Sequence, residues 1–182
     1  MRFCGNMERV IFKGGVLPVL LIILGVMARF LPHPANFAPI GAIAIFGGMY
    51  LPKRAALIVP LLAMLASDFF IGFYDFRIML SVYGSFLFMG AVGFWIRKNK
   101  NAVSVVGGTL FGSFLFFLVT NAAVWFFGTM YAPNFAGLMQ SYFMALPFFR
   151  NSLLGDLFYV GVLVGGMELV LRLAASKKLQ WV

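Results

Sequence analysis

Six runs of apolar residues, separated by short stretches of proline, glycine and charge, organise this chain. They lie at about 15–31, 38–51, 55–73, 78–96, 102–127 and 152–173. A helix needs roughly 20 apolar residues to cross a bilayer's ~30 Å hydrocarbon core, and most of the runs come near that length. The first is interrupted only by Pro18 near its start and Arg29 near its end. The residues that follow, Arg29-Phe30-Leu31-Pro32, carry no small-residue cleavage pattern, so the run reads as a retained span and not as a signal peptide. Two prolines in Leu31-Pro32-His33-Pro34-Ala35-Asn36-Phe37 stop a helix and hold an extended turn. The second run makes a helix of only ~21 Å, so either the proline turn dips into the membrane or the bilayer thins there. The third run carries Pro60 and ends among Ser67, Asp68, Asp75 and Arg77, and the fourth stops at Arg97-Lys98-Asn99-Lys100. The fifth is long enough to tilt. In the longest connection, 128–151, residues 135–146 predict a short amphipathic helix lying in the interface ahead of the last span.

Composition narrows the class. Of 182 residues, 63% are hydrophobic and only 10% charged, against ~45–50% and ~25% in soluble domains. Such hydrophobicity excludes a disordered chain, and a single cysteine, Cys4, excludes a disulfide scaffold. The expectation is an all-α integral membrane protein, one transmembrane domain over residues 1–182 with six spans. The net charge of +9 fits that picture once the cations are sorted. Arg2, Arg9, Lys13, Lys53, Arg54, Arg97, Lys98, Lys100, Arg172, Lys177 and Lys178 fall on one side of a six-span topology. Only Arg29, Arg77 and Arg150 fall on the other, which accounts for all 14. The positive-inside rule then places both termini in the cytoplasm. The lipid bilayer explains the charge without a nucleic-acid partner.

Candidate chemistry gathers toward the outer side. Asp68, Asp156, Asn121 and Arg29 come from four different spans and lie at similar depth, with Asp75, Arg77 and Arg150 nearby. A charge facing lipid costs at least ~2.5–3.5 kcal/mol, so these groups turn inward. Two readings stay open. Arg29 or Arg150 pairs with Asp68 or Asp156 to staple the bundle, or the residues form a polar pocket open to the outside. Ser152 shares a helix face with Asp156. His33 and Asn36 sit in the proline turn at the mouth of such a pocket. Glu168 and Arg172, four apart, make a local pair at the cytoplasmic end. Ala44 with Gly48 and Gly161 with Gly165 are small-residue pairs suited to close helix packing, inside the bundle in preference to an interface with a partner protein. Aromatic residues near the outer end are mostly interfacial belt, the remainder lining a pocket for a flat or partly apolar ligand.

Enzyme motifs are lacking. There is no nucleophile elbow or phosphate loop, and a single histidine gives no imidazole metal site. Tyr74-Asp75 and Gly155-Asp156 are faintly similar to the motifs of presenilin-like intramembrane aspartyl proteases, but Leu153 stands where that second motif requires glycine. The expectation is a non-enzyme without cofactor or metal.

The strings Leu31-Pro32-His33-Pro34-x-Asn36-Phe37-x-Pro39-Ile40-Gly41-Ala42, Ser67-Asp68 and Phe148-Phe149-Arg150-Asn151-x-Leu153-Leu154-Gly155-Asp156 resemble a group of uncharacterised bacterial membrane proteins. That group is similar in turn to the substrate-binding S components of energy-coupling-factor vitamin transporters. The similarity covers about residues 29–173. It implies a six-helix inner-membrane protein that captures a small micronutrient-like solute at its outer face. Asp68, Asn121, Asp156, Arg29, Arg150 and Asn151 would shape the site, with His33 and Asn36 in its lid. It also implies a transmembrane coupling protein with ATPases as partners. The alanine-x-x-x-alanine coupling motif of such components is absent from the first span. The competing expectation is a non-transporting scaffold or assembly subunit whose polar residues only hold the bundle.

Overall fold

A computed structural model describes residues 15–179. Arg2, Cys4, Arg9 and Lys13 lie outside the described residues, as do the side chains of Lys177 and Lys178. Six helices follow one another: α1 (Val16–Phe30), α2 (Ile40–Tyr50), α3 (Lys53–Ile71), α4 (Phe76–Lys98), α5 (Ala102–Phe127) and α6 (Phe135–Leu179). Among the described residues there is no strand. Helices α3 to α6 are long and apolar enough to cross a membrane, whereas α1 and α2 are shorter. Outward faces carry Leu20, Phe69, Phe88, Phe111, Phe158 and Leu169, all exposed. A surface of that kind is suited to lipid.

Local sequence accounts for the helix ends. Pro18 falls in the first turn of α1, where its missing N–H has no intrahelical partner to lose. Pro32 and Pro52 force the residues before them out of helix. Leu31 and Leu51 are extended, with ψ of 146° and 161°, and close α1 and α2. Asp75 caps α4 by accepting the amides of Arg77 and Ile78, and Asn101 caps α5 by accepting that of Ser104.

Helix α2 is the centre. Its sequence, IGAIAIFGGMY, has no polar face, and a helix apolar all round belongs inside. Ile40 to Met49 are all buried. Around it α1, α3, α4, α5 and α6 form an arc in that order, each packed on α2 and on its neighbours in the arc, with α1 and α6 at the two ends. The chain alternates between a rim, where α1, α3 and α5 end, and a base, where α2 and α4 end. Against α4 the approach is backbone to backbone. A Cβ on Gly48 would collide with the Gly90 carbonyl and lie 2.7 Å from the Gly93 Cα, and one on Gly93 would collide with the Ile45 carbonyl. Gly161 and Gly165, expected to pack inside the bundle, have open space where a Cβ would go. They face outward.

The short α2 leaves depth to be filled, and the proline turn fills it. Phe37 packs on the Gly155 backbone and on the rings of Phe158 and Tyr159, and Asn151 donates to the Ala35 carbonyl at 3.0 Å. The turn therefore lies alongside α6.

A second sequence expectation is corrected. Residues 135–146 are not a separate interfacial helix but the first part of α6, which runs unbroken through Pro147. Asn134 starts it, accepting the Gly137 amide at 2.8 Å. Upstream of the proline, Ser141 and Tyr142 donate to the Asn121 and Leu118 carbonyls of α5. Downstream, Phe149 stacks on Phe117 of the same helix, with ring centroids 4.5 Å apart. Contacts to one partner on both sides of Pro147 keep the helix continuous across the hydrogen bond the proline forfeits.

Candidate functional site

Between the rim ends of the helices lies a partly open cavity of about 360 Å³. Ligand pockets start near ~300 Å³. Helix α5 supplies one wall through Ser113, Phe116, Phe117, Thr120, Asn121 and Val124, spaced by three or four residues and so on one face. Helix α6 supplies the facing wall with the same spacing: Ala145, Phe148, Phe149, Ser152 and Asp156. Val82, Phe86 and Met89 of α4 close the back, Ile40 and Gly41 of α2 the floor, and Arg29, Asn36 and Tyr74 the mouth.

Asp156 is the deepest charged group. It is 7% exposed, and its Oδ2 accepts the Ser113 hydroxyl at 2.7 Å. Its other oxygen rests against the first turn of α2, where a Cβ on Gly41 would strike it and the Ala42 amide points toward the carboxylate. Amides at a helix N-terminus are free donors carrying about half a positive charge, and Asp156 occupies that place on α2. Among the described residues no cation lies within ion-pair distance of it. The opposite end of α2 is satisfied from α4. Arg97 donates to the Met49 carbonyl at 2.7 Å and to that of Leu51. An acid at the N-terminus and a base at the C-terminus complement the dipole of a helix with no other access to water.

Arg29 is already engaged. Its Nη1 lies 2.6 Å from Asp68 Oδ1, 2.5 Å from the Ser67 hydroxyl and 3.2 Å from the Met64 sulfur. Asp68, 1% exposed, takes the Tyr83 hydroxyl on its other oxygen at 2.9 Å. Tyr74, in the turn between α3 and α4, has its hydroxyl pushed up to about 12 by burial and by the charge of Asp68. It therefore meets the cavity as a neutral donor.

The expected site residues thus divide. Arg29, Asn36, Asn121 and Asp156 line one cavity. Asp68 stands behind its wall and holds Arg29. Asn151 secures the proline turn. Arg150 is exposed and off the wall. His33 is off the wall too, with Nδ1 2.9 Å from the Pro34 carbonyl. Asn36 has a positive φ of 64°, as the turn closed by Phe37 N–H to Pro34 O requires, and asparagine tolerates that region better than other side chains. Asp75 pairs with Arg77 in an exposed turn, which holds its carboxyl below the usual range, and is not part of the cavity. Glu168 binds Lys100 of the α4–α5 turn and the Tyr50 hydroxyl, each at 2.5 Å, in place of the expected local pair with Arg172.

Sequence reading missed Ser113, Phe116, Phe117 and Tyr74 as wall residues. The signal for the α5 stripe was present: hydroxyl, aromatic and amide side chains recur every three or four positions from Ser113 to Asn121 in an otherwise aliphatic and aromatic helix.

No curated protein and no solved structure matches the chain. The family of unknown function DUF6580 matches residues 12–179, nearly the whole length, and the chain belongs to that family.

Proposed function

We propose that this is a six-span inner-membrane protein, both termini cytoplasmic, that captures a small solute at its outer face and helps it cross. One observation carries the reading: a ligand-sized cavity at the rim, lined on facing helices by hydroxyl, amide, carboxylate and aromatic groups, in a bundle whose outside is apolar. Polar groups held open in this way are costly in a membrane protein unless they meet water or a ligand. Lys53, Arg54, Arg97 and Lys98 gather at the base and Arg77 and Arg150 toward the rim, which under the positive-inside rule makes the rim the outer face. The resemblance to S components of energy-coupling-factor transporters supports the same role, with a transmembrane coupling protein and its ATPases as the source of energy.

The competing scaffold reading is favoured by the Arg29–Asp68 pair, which ties α1 to α3 as a staple would. Ala145, buried and facing the cavity, separates the two. Ala145→Trp fills the void while leaving that pair intact. Cells expressing the wild-type protein should deplete at least one solute from a complex defined medium faster than cells expressing A145W at equal membrane abundance, with depletion read by mass spectrometry. Equal depletion of every solute would favour the scaffold.

A further inference from the structure

The cavity's charge balance narrows what it takes. Arg29 is neutralised by Asp68 at 2.6 Å. Arg77 and Asp75 neutralise each other outside the wall at 3.2 Å. Arg150 is exposed, and two residues along a helix from Ser152 it turns away from the cavity. That leaves Asp156. The Ser113 hydroxyl holds its carboxylate without adding charge, and the α2 N-terminus offsets about half a unit. With Asp156 ionised the wall carries a net negative potential at its deep end, and a cation bound there favours that form. An anion drawn to Arg29 would displace Asp68 and then face Asp156. Phe86, Phe116, Phe117, Phe148 and Phe149 line the same cavity, and aromatic ring faces attract cations more strongly where water is excluded.

We infer that the cavity takes a small organic cation with a flat or apolar body, its positive group toward Asp156 and its body against the phenylalanines of α5 and α6. This rests on the reading of the cavity as a solute site and names the class of solute.

Thiol accessibility tests it without knowing the ligand. In a Cys4→Ala background, Ser152→Cys places the only thiol one turn from Asp156 on the cavity wall. The purified protein is reacted with three methanethiosulfonates: the neutral methyl, the cationic trimethylammonioethyl and the anionic sulfonatoethyl reagent. The neutral reagent should react readily. The cationic-to-anionic rate ratio should exceed that of free cysteine by about tenfold, as roughly half a unit of net charge one helical turn away predicts in a cavity less polar than water. Asp156→Asn should return the ratio toward that of free cysteine. Should that variant unfold, the ratio in Ser152→Cys alone still decides, and it should fall as salt is raised. If the neutral reagent reacts but the anionic one keeps pace with the cationic, the cation assignment is overturned and the solute site stands. If even the neutral reagent fails, no open cavity exists and both readings fall.

Discussion

Arg29 and Asp68 show what one buried pair contributes in this setting. Asp68 is buried and receives Arg29 and Tyr83 together, so either partner alone would be a stranded charge. Removing one member of such a pair costs ~3–5 kcal/mol, whereas replacing both by apolar residues of similar size is often neutral. Arg29→Met and Asp68→Leu should each lower thermal stability in detergent by about that amount, and the double variant should recover most of the loss. Additive losses would show that the two side chains do not depend on each other. The sequence places four polar residues at one depth, because depth follows from residue count along each span. It leaves open which of them meet, because azimuth depends on packing that residue count does not carry. Hence Arg29 was legible as inward-facing but Asp68 as its partner, with Asp156 left to the cavity, was not.

At the scale of elements, α2 is the piece on which the others are arranged. Without water as a driving force between helices, close packing through small residues decides association, and the α2–α4 crossing has no room for a methyl group at Gly48 or Gly93. Gly48→Ala and Gly93→Ala should each destabilise the protein by a few kcal/mol, because backbone and not a flexible side chain blocks the new atom. Gly161→Ala and Gly165→Ala should be neutral or slightly stabilising, since alanine is the better helix former by ~0.5–1 kcal/mol where space is open. Melting curves of the four variants would decide, and equal effects would contradict the crossing. The burial of α2 was legible in its lack of any polar residue before Tyr50. Pro147 misled because a proline stops a helix in isolation, whereas here Ser141, Tyr142 and Phe149 bind α5 on both sides of it.

For the whole molecule, an arc of five helices around a short sixth leaves space above α2, and the cavity occupies that space. The length of α2 is thus the structural origin of the site: its first turn lies at the depth of Asp156, partway down α6, and the proline turn covers only the side toward α6. The central claim is that this space holds a solute. Native mass spectrometry of the protein released gently from detergent micelles tests it most directly. A fraction of the wild-type protein should carry one additional small-molecule mass, and A145W, equally folded, should carry none. Only the bare sequence mass of each protein, with no added small molecule on either, from preparations never exposed to denaturant, would contradict the account.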